Sequence, residues 1–328
     1  MLTIQEDPTI VLDTGRSGGV YAVVFHPDGM HLLGGSGDGI RQWRLVDGQE
    51  VGKQMGMQLR AISISRDDKW VICGTEEGGA NVWDAEMREK VVDVEGTTAV
   101  YATDVSPDST TFATGTEDDE ASIWNMFTGE RLVGPLKHDN DVNGIRFSPN
   151  GEQIATACSS SIRIFDARSG GELIHIKTAM PSARAITPLV WSDDGRRIFV
   201  AADDNKVKCF EVSTGSLLAE SLVLNDGDVE SIALATNGKF IAAYTGHNIL
   251  FLNTSTLTRI SPAIEESARI ESIALSPDSN YLAAGQRDGK IAVRNLGSIL
   301  PDLCGPSHVS ICPFMMLACR MSPILSVM

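Results

Sequence analysis

A reverse-turn signature recurs along most of the chain at a nearly fixed interval, and that interval restricts the fold more than any other feature. The triplets are Pro27-Asp28-Gly29, Arg66-Asp67-Asp68, Pro107-Asp108-Ser109, Pro149-Asn150-Gly151, Asp193-Asp194-Gly195, Thr236-Asn237-Gly238 and Pro277-Asp278-Ser279. Pro presets φ, Asp or Asn bonds its own backbone, and Gly tolerates positive φ, so each triplet reads as a tight turn. Successive triplets lie 39 to 44 residues apart. At such a period each repeat is one supersecondary unit that buries its apolar faces only against its neighbours.

The segments around the turns read as strands. Alternating stretches precede them, as in VYAVVF (20–25), VNGIRF (142–147), VESIAL (229–234) and IESIAL (270–275). Near-continuous apolar runs follow them: HLLGGS, WVICGT, TFATGT, QIATAC, RIFVAA, FIAAYT and YLAAGQ. Runs this short and this rich in β-branched residues are strands, the second set buried on both faces. Each second run carries a small residue at one aligned place, namely Gly35, Gly74, Gly115, Thr156, Ala201, Ala243 or Gly285, which lets neighbouring sheets approach. A third strand ends in Trp43, Trp83, Trp124, Phe165, Phe210, Leu252 or Arg294. The turn before it holds Asp38, Asp118, Asp204 or Asp288 in four repeats, where a carboxylate accepts backbone N–H groups and holds the corner. Helical periodicity is nearly absent, so the chain is read as all-β.

This order of strand, turn, small-residue strand, Asp-containing turn and terminal Trp-Asp resembles the WD40-repeat family. Trp83-Asp84 is the full dipeptide. Trp124-Asn125, Phe165-Asp166, Phe210-Glu211, Leu252-Asn253 and Arg294-Asn295 are decayed versions, and Trp43-Arg44 keeps the first half. The resemblance implies a seven-bladed β-propeller with four-stranded antiparallel blades. Its repeats fall at about 15–47, 56–86, 97–127, 139–168, 183–213, 226–255 and 267–297 within a 1–297 domain. The last repeat supplies three strands, so the apolar run within 9–14 is expected to complete it by pairing with 290–295, closing the ring with the N-terminal strand. No repeat has the Gly-His dipeptide usual before the first strand, Lys137-His138 coming nearest. The Asp–His–Ser/Thr–Trp hydrogen-bond network of strong repeats is therefore incomplete.

Composition and motifs narrow the chemistry. The net charge of −16 argues against a phosphate-backbone footprint, so no direct nucleic-acid partner is expected. Cys73, Cys158 and Cys209 sit singly inside apolar runs, as reduced packed thiols do, and no signal peptide pattern opens the chain. The cytosol is the default compartment, with the nucleus open. Residues 298–328 fit no repeat and read as an apolar tail, expected to be poorly ordered. Pro313, Arg320 and Pro323 interrupt it as a membrane span, and Cys304, His308, Cys312 and Cys319 lack the short hook of a structural zinc site. Gly35 to Gly39 looks like a phosphate loop but no helix follows it. No metal, cofactor or catalytic residue is expected.

The resemblance implies a non-catalytic interaction scaffold, a monomeric propeller that meets peptides or other domains within a complex. A sensor array cut from a larger STAND-type receptor and a propeller-type enzyme are the alternatives. In the family the upper face, built from the loops before each first strand and from the second turns, most often meets partners. Carried onto this chain, Glu76, Glu117, Asp141, Asp203 and Asp228 form an acidic arc over blades two to six, with Arg269 and Arg287 on blade seven. Such an arc would steer a basic peptide.

Overall fold

The computed structural model describes residues 3–4, 8–15, 18–56, 58–180, 188–224 and 228–304. The strands assemble into seven sheets arranged as a ring. Blade one is Val20–Phe25, His31–Ser36, Gly39–Arg44 and Gln49–Glu50, from the inside outward. Blades two, three and four repeat the same antiparallel meander up to Lys177, and blade five runs from Leu189–Trp191 to Leu217–Glu220. Blade six is Ser231–Leu234, Phe240–Thr245, Asn248–Asn253 and Ala263–Glu265. Blade seven takes three strands from the end of the chain, Ile270–Leu275, Tyr281–Gln286 and Lys290–Asn295. Its fourth is Ile10–Asp13, antiparallel to Lys290–Asn295 with Ile10 opposite Val293 and Leu12 opposite Ile291. Thr14 extends the seam, its hydroxyl donating to Gly289 O at 2.8 Å.

The chain start also reaches the neighbouring blade. Thr3–Ile4 pairs in parallel with Ala263–Glu265 and makes blade six five-stranded. One short N-terminal stretch thus engages two adjacent sheets, those of blades six and seven.

The core is divided among the blade interfaces. Seven apolar clusters occupy the seven contacts between adjacent blades, with Leu12, Val20, Trp43, Tyr281 and Val293 filling the one where the chain's two ends meet. The aligned small residues make these contacts close. A Cβ on Gly74 would lie 2.7 Å from Val100 Cγ1 of the next blade, and one on Gly115 would lie 2.6 Å from Val142 Cγ1. Any larger residue there drives blades apart.

The first turn of five blades carries a repeated polar lock. Ser65, Ser106, Ser148, Ser192 and Ser276 each donate to the Asp or Asn two residues on and accept the N–H five residues on, the latter at 2.9 to 3.0 Å. The network of strong repeats is split between blades. Trp124 Nε1 donates to Thr114 at 2.9 Å, whereas His138 Nε2 lies 2.7 Å from Thr156 Oγ1 with Phe165 edge-on where a Trp would stand.

Residues 298–304, the start of the segment set apart as a tail, fold back under blades six and seven. Leu300 is buried among their apolar side chains, and Asn237 donates to Leu303 O at 2.9 Å. The remainder of that segment, including His308, Cys312 and Cys319, lies outside the described residues. No described helix is long and apolar enough to cross a membrane.

His138 makes the fold pH-sensitive. Burial lowers its pKa to about 4, outweighing the bond to Leu136 O. An unfolded histidine protonates near 6.5. Between those values the unfolded chain binds more protons, so stability falls as pH drops from 6.5 toward 4, by roughly 3 kcal/mol in all. Urea unfolding at pH 7 and pH 4 should show this slope in the parent and a flatter one in His138→Gln. Identical slopes would assign acid sensitivity to other groups.

Candidate upper-face interface

The inner strands descend from the upper face with alternate side chains turned to the axis, so position in the strand sets the depth in the channel. One axis-facing residue from each of the seven inner strands lines a cavity of about 290 Å³. They are Val24, Ser63, Asp104, Arg146, Val190, Ala233 and Ala274, and only one pair is charged. Asp104 Oδ1 lies 3.6 Å from Arg146 Nη1, and its other oxygen accepts Phe147 N–H at 2.8 Å. Burial raises the Asp104 pKa against the pull of Arg146. Among the described residues no His or Cys lines this cavity.

Residues at or just before the upper ends of the inner strands form the upper mouth. Tyr21, Arg60, Tyr101, Glu230 and Glu271 are half-buried there. Arg60 binds Glu76 at 2.7 Å and lies 5.8 Å from the Tyr101 ring. Arg269 binds Glu230 at 2.6 Å, and burial nevertheless raises the Glu230 pKa. Arg287 stands 4.0 Å from Glu271.

Each residue anticipated for the interface lies in an upper loop. Glu76, Glu117, Asp203, Asp228 and Arg287 are exposed, and Asp141 and Arg269 are half-buried. The structure brings Glu117 and Asp141 together over blades three and four, beside Asp119 and Tyr101. The Asp141 pKa is raised by burial and by the charges of Asp119 and Glu117, and that of Tyr101 by burial and by Glu117. Glu76 is neutralised by Arg60. Arg269 and Arg287 are neighbours, Arg287 N–H donating to Arg269 O at 2.9 Å, but each already faces a carboxylate.

The second-turn residues hold their corners in different ways. Asp288 accepts Lys290 N–H at 3.2 Å, Asp118 accepts the Thr116 hydroxyl, and Asp204 faces Lys208 at 2.8 Å, while Asp38 accepts Gln54 through its backbone carbonyl. The strand-ending Trp43 is fully packed, and Trp83 and Trp124 are half-buried. The mouth ring of Tyr21, Arg60, Tyr101, Glu230 and Glu271 is absent from the motif-based reading. Its signal was polar or aromatic character at the second place of an otherwise apolar strand. Among the described residues no group of His, Cys, Asp and Glu is arranged to hold a metal ion.

Comparison with known proteins agrees with the propeller fold. A family model described as nucleolar protein 10-like, N-terminal domain, matches residues 25–220, and one described as WD domain, G-beta repeat, matches residues 260–295. The serine-threonine kinase receptor-associated protein of Gallus gallus is 28% identical over 195 residues, 59% of this chain and 53% of the relative. The small ribosomal subunit protein RACK1 of Caenorhabditis elegans is 28% identical over 159 residues, 46% of this chain and 49% of the relative. The U3 small nucleolar RNA-associated protein 15 homolog of Gallus gallus is 24% identical over 234 residues, 70% of this chain and 44% of the relative. The chain thus spans about half the length of the curated relatives it matches. The crystal structure of the Myceliophteria thermophila Cps50 (Swd1) β-propeller domain superposes with a TM-score of 0.75 at 20% identity, covering 85% of this chain and 98% of that one.

Proposed function

We propose, because this chain belongs to the family of nucleolar protein 10-like N-terminal β-propellers and carries WD repeats, that it is a non-catalytic scaffold whose upper face holds a basic segment of a partner protein. The observation that carries this reading is the crowding of Glu117, Asp119 and Asp141 at the rim of blades three and four, where burial first and then the neighbouring carboxylates raise the Asp141 pKa. A Lys or Arg seated among them relieves that repulsion. Asp203 and Asp228 extend the field along the rim and steer the approach. A non-catalytic role is supported by the channel, whose single lining carboxylate is paired with Arg146.

The names of the matched family and of two relatives refer to the nucleolus, a small nucleolar RNA and the small ribosomal subunit. Proteins of such particles neutralise phosphates with Lys and Arg. An acidic propeller in that setting meets the particle through a basic protein tail rather than through RNA, and its compartment is the nucleus.

Binding of a fluorescent lysine-rich peptide to the intact chain, followed by anisotropy across a salt series, tests the reading. Glu117→Lys with Asp141→Lys should weaken binding at least tenfold at low salt and flatten its salt dependence. Arg269→Glu with Arg287→Glu should leave it unchanged or tighter. Equal affinities for the parent and the Glu117/Asp141 variant at every salt concentration would remove this face as the interface.

A further inference from the structure

The lower rim differs from one side of the ring to the other. The turn after each third strand has a two-residue tip: Val46-Asp47, Glu86-Met87, Phe127-Thr128, Arg168-Ser169, Ser213-Thr214, Ser255-Thr256 and Gly297-Ser298 in blades one to seven. Each tip of blades one to three carries one large apolar side chain, and those of blades four to seven carry none. Val46 is 46% exposed, Met87 66% and Phe127 59%. Met30, 51% exposed, follows the first turn of blade one, where five of the other six blades have Lys69, Thr110, Glu152, Arg196 or Lys239. Scattered exposed apolar residues are ordinary on any surface. An exposed apolar side chain within the same two-residue tip of three consecutive blades, at the first place in Val46 and Phe127 and at the second in Met87, is not scatter.

The tips form a continuous arc because each third turn leans on the preceding blade. Arg88, next to Met87, donates to Gln42 at 2.6 Å and to Lys53 O at 2.9 Å, both in blade one. Phe127 packs edge-on against Trp70 of blade two with ring centroids 5.8 Å apart. The border of the arc is acidic. Glu86, Glu89 and Glu130 are exposed and form no ion pair among the described residues, whereas of the nearby cations Arg44, Lys69 and Lys90 face Asp47, Asp67 and Asp93, Arg88 turns to Gln42 and Lys53 O, and Arg131 lies over the Trp124 ring.

From this pattern we infer that the lower rim of blades one to three is a second docking surface, distinct from the upper face, for an amphipathic helix of a partner protein with an apolar stripe flanked by Lys and Arg. A helical stripe at i, i+4 and i+7 supplies successive anchors along one line, and the thioether of Met87 adapts its shape to what it meets. Basic flanks complement Glu86, Glu89 and Glu130. A second copy of this chain does not, since it would set those carboxylates against their own counterparts in a molecule of net charge −16.

The probe is a labelled 18-residue helical peptide of Leu and Lys with Leu at helical spacing, titrated against the full chain. Met87→Glu with Phe127→Glu should weaken binding at least tenfold, and Ser213→Glu with Ser255→Glu should leave it within twofold. A peptide with Glu in place of every Lys should bind at least tenfold more weakly. Should the Met87/Phe127 variant melt below the parent, Met87→Ser with Phe127→Ser makes the same comparison without an added charge. Unchanged binding by these variants, or equal binding of the Glu peptide, overturns the proposal. A concentration-dependent dimer abolished by the same substitutions assigns the surface to a second copy instead. Tenfold tighter peptide binding after deletion of 305–328 assigns it to the chain's own C-terminal segment.

Discussion

Deleting residues 1–14 is expected to cost more stability than the removal of any other segment of this length at the surface. The deletion takes away Ile10–Asp13, the outer strand of blade seven, together with Thr3–Ile4 on blade six. It empties the place of Leu12, which is buried among Val20, Trp43, Tyr281 and Val293 at the seam. It also leaves Lys290–Asn295 as an open sheet edge. Leu12→Ala alone should cost about 2–5 kcal/mol, which in a domain of this size lowers the melting temperature by roughly 3–8 °C. The full deletion should exceed that and expose dye-binding apolar surface well below the parent's transition. Melting of the truncated chain at the parent's temperature would mean that the ring does not depend on this seam.

The second large effect lies one blade interface away. Arg294 and Glu266, with side chains 5% and 3% exposed, form an ion pair at 2.6 Å between blades seven and six. Gln286 donates to the other Glu266 oxygen at 2.8 Å. Breaking such a pair strands a charge in the interior and costs about 3–5 kcal/mol. Glu266→Ala and Arg294→Ala should each show that loss in chemical denaturation. Glu266→Leu with Arg294→Met should recover most of it, because the desolvation cost disappears along with the attraction. A double variant as unstable as either single one would show that the pair contributes more than its own desolvation.

The propeller was legible because its signals are local. Turn triplets, small residues and strand-end aromatics each act within a few positions, and their period states how many units there are. Closure was legible too, since an unpaired third strand in the last repeat and an orphan apolar run near the start demand one another. Arg294 shows where this kind of reading ends. It occupies the strand-end place where stronger repeats have Trp, and the pattern registers only decay. A buried guanidinium requires a buried anion, but Glu266 lies 28 residues away in a loop no motif distinguishes. The mouth ring and the lower apolar arc escaped for a related reason. Glu230 and Glu271, or Val46, Met87 and Phe127, are unremarkable within their own repeats and acquire meaning only when blades are set side by side. The acidic rim was visible as charges on loops, but the pairing of Glu76 with Arg60 and of Arg269 with Glu230 is decided by neighbouring strands.

The seam also orders events during synthesis. Residues 10–13 are synthesised about 280 residues before their partners at 290–293. At about 5–20 residues per second, roughly 15–55 s separate the two. Blades two to five complete themselves from contiguous chain in that interval, each against the one before. Blade one, by contrast, waits with Val20, Leu32 and Trp43 uncovered on the side that blade seven will occupy. The nascent propeller is therefore an arc with one sticky end until residues 290–295 emerge, and a strand made before blade one is the one that locks the ring after it.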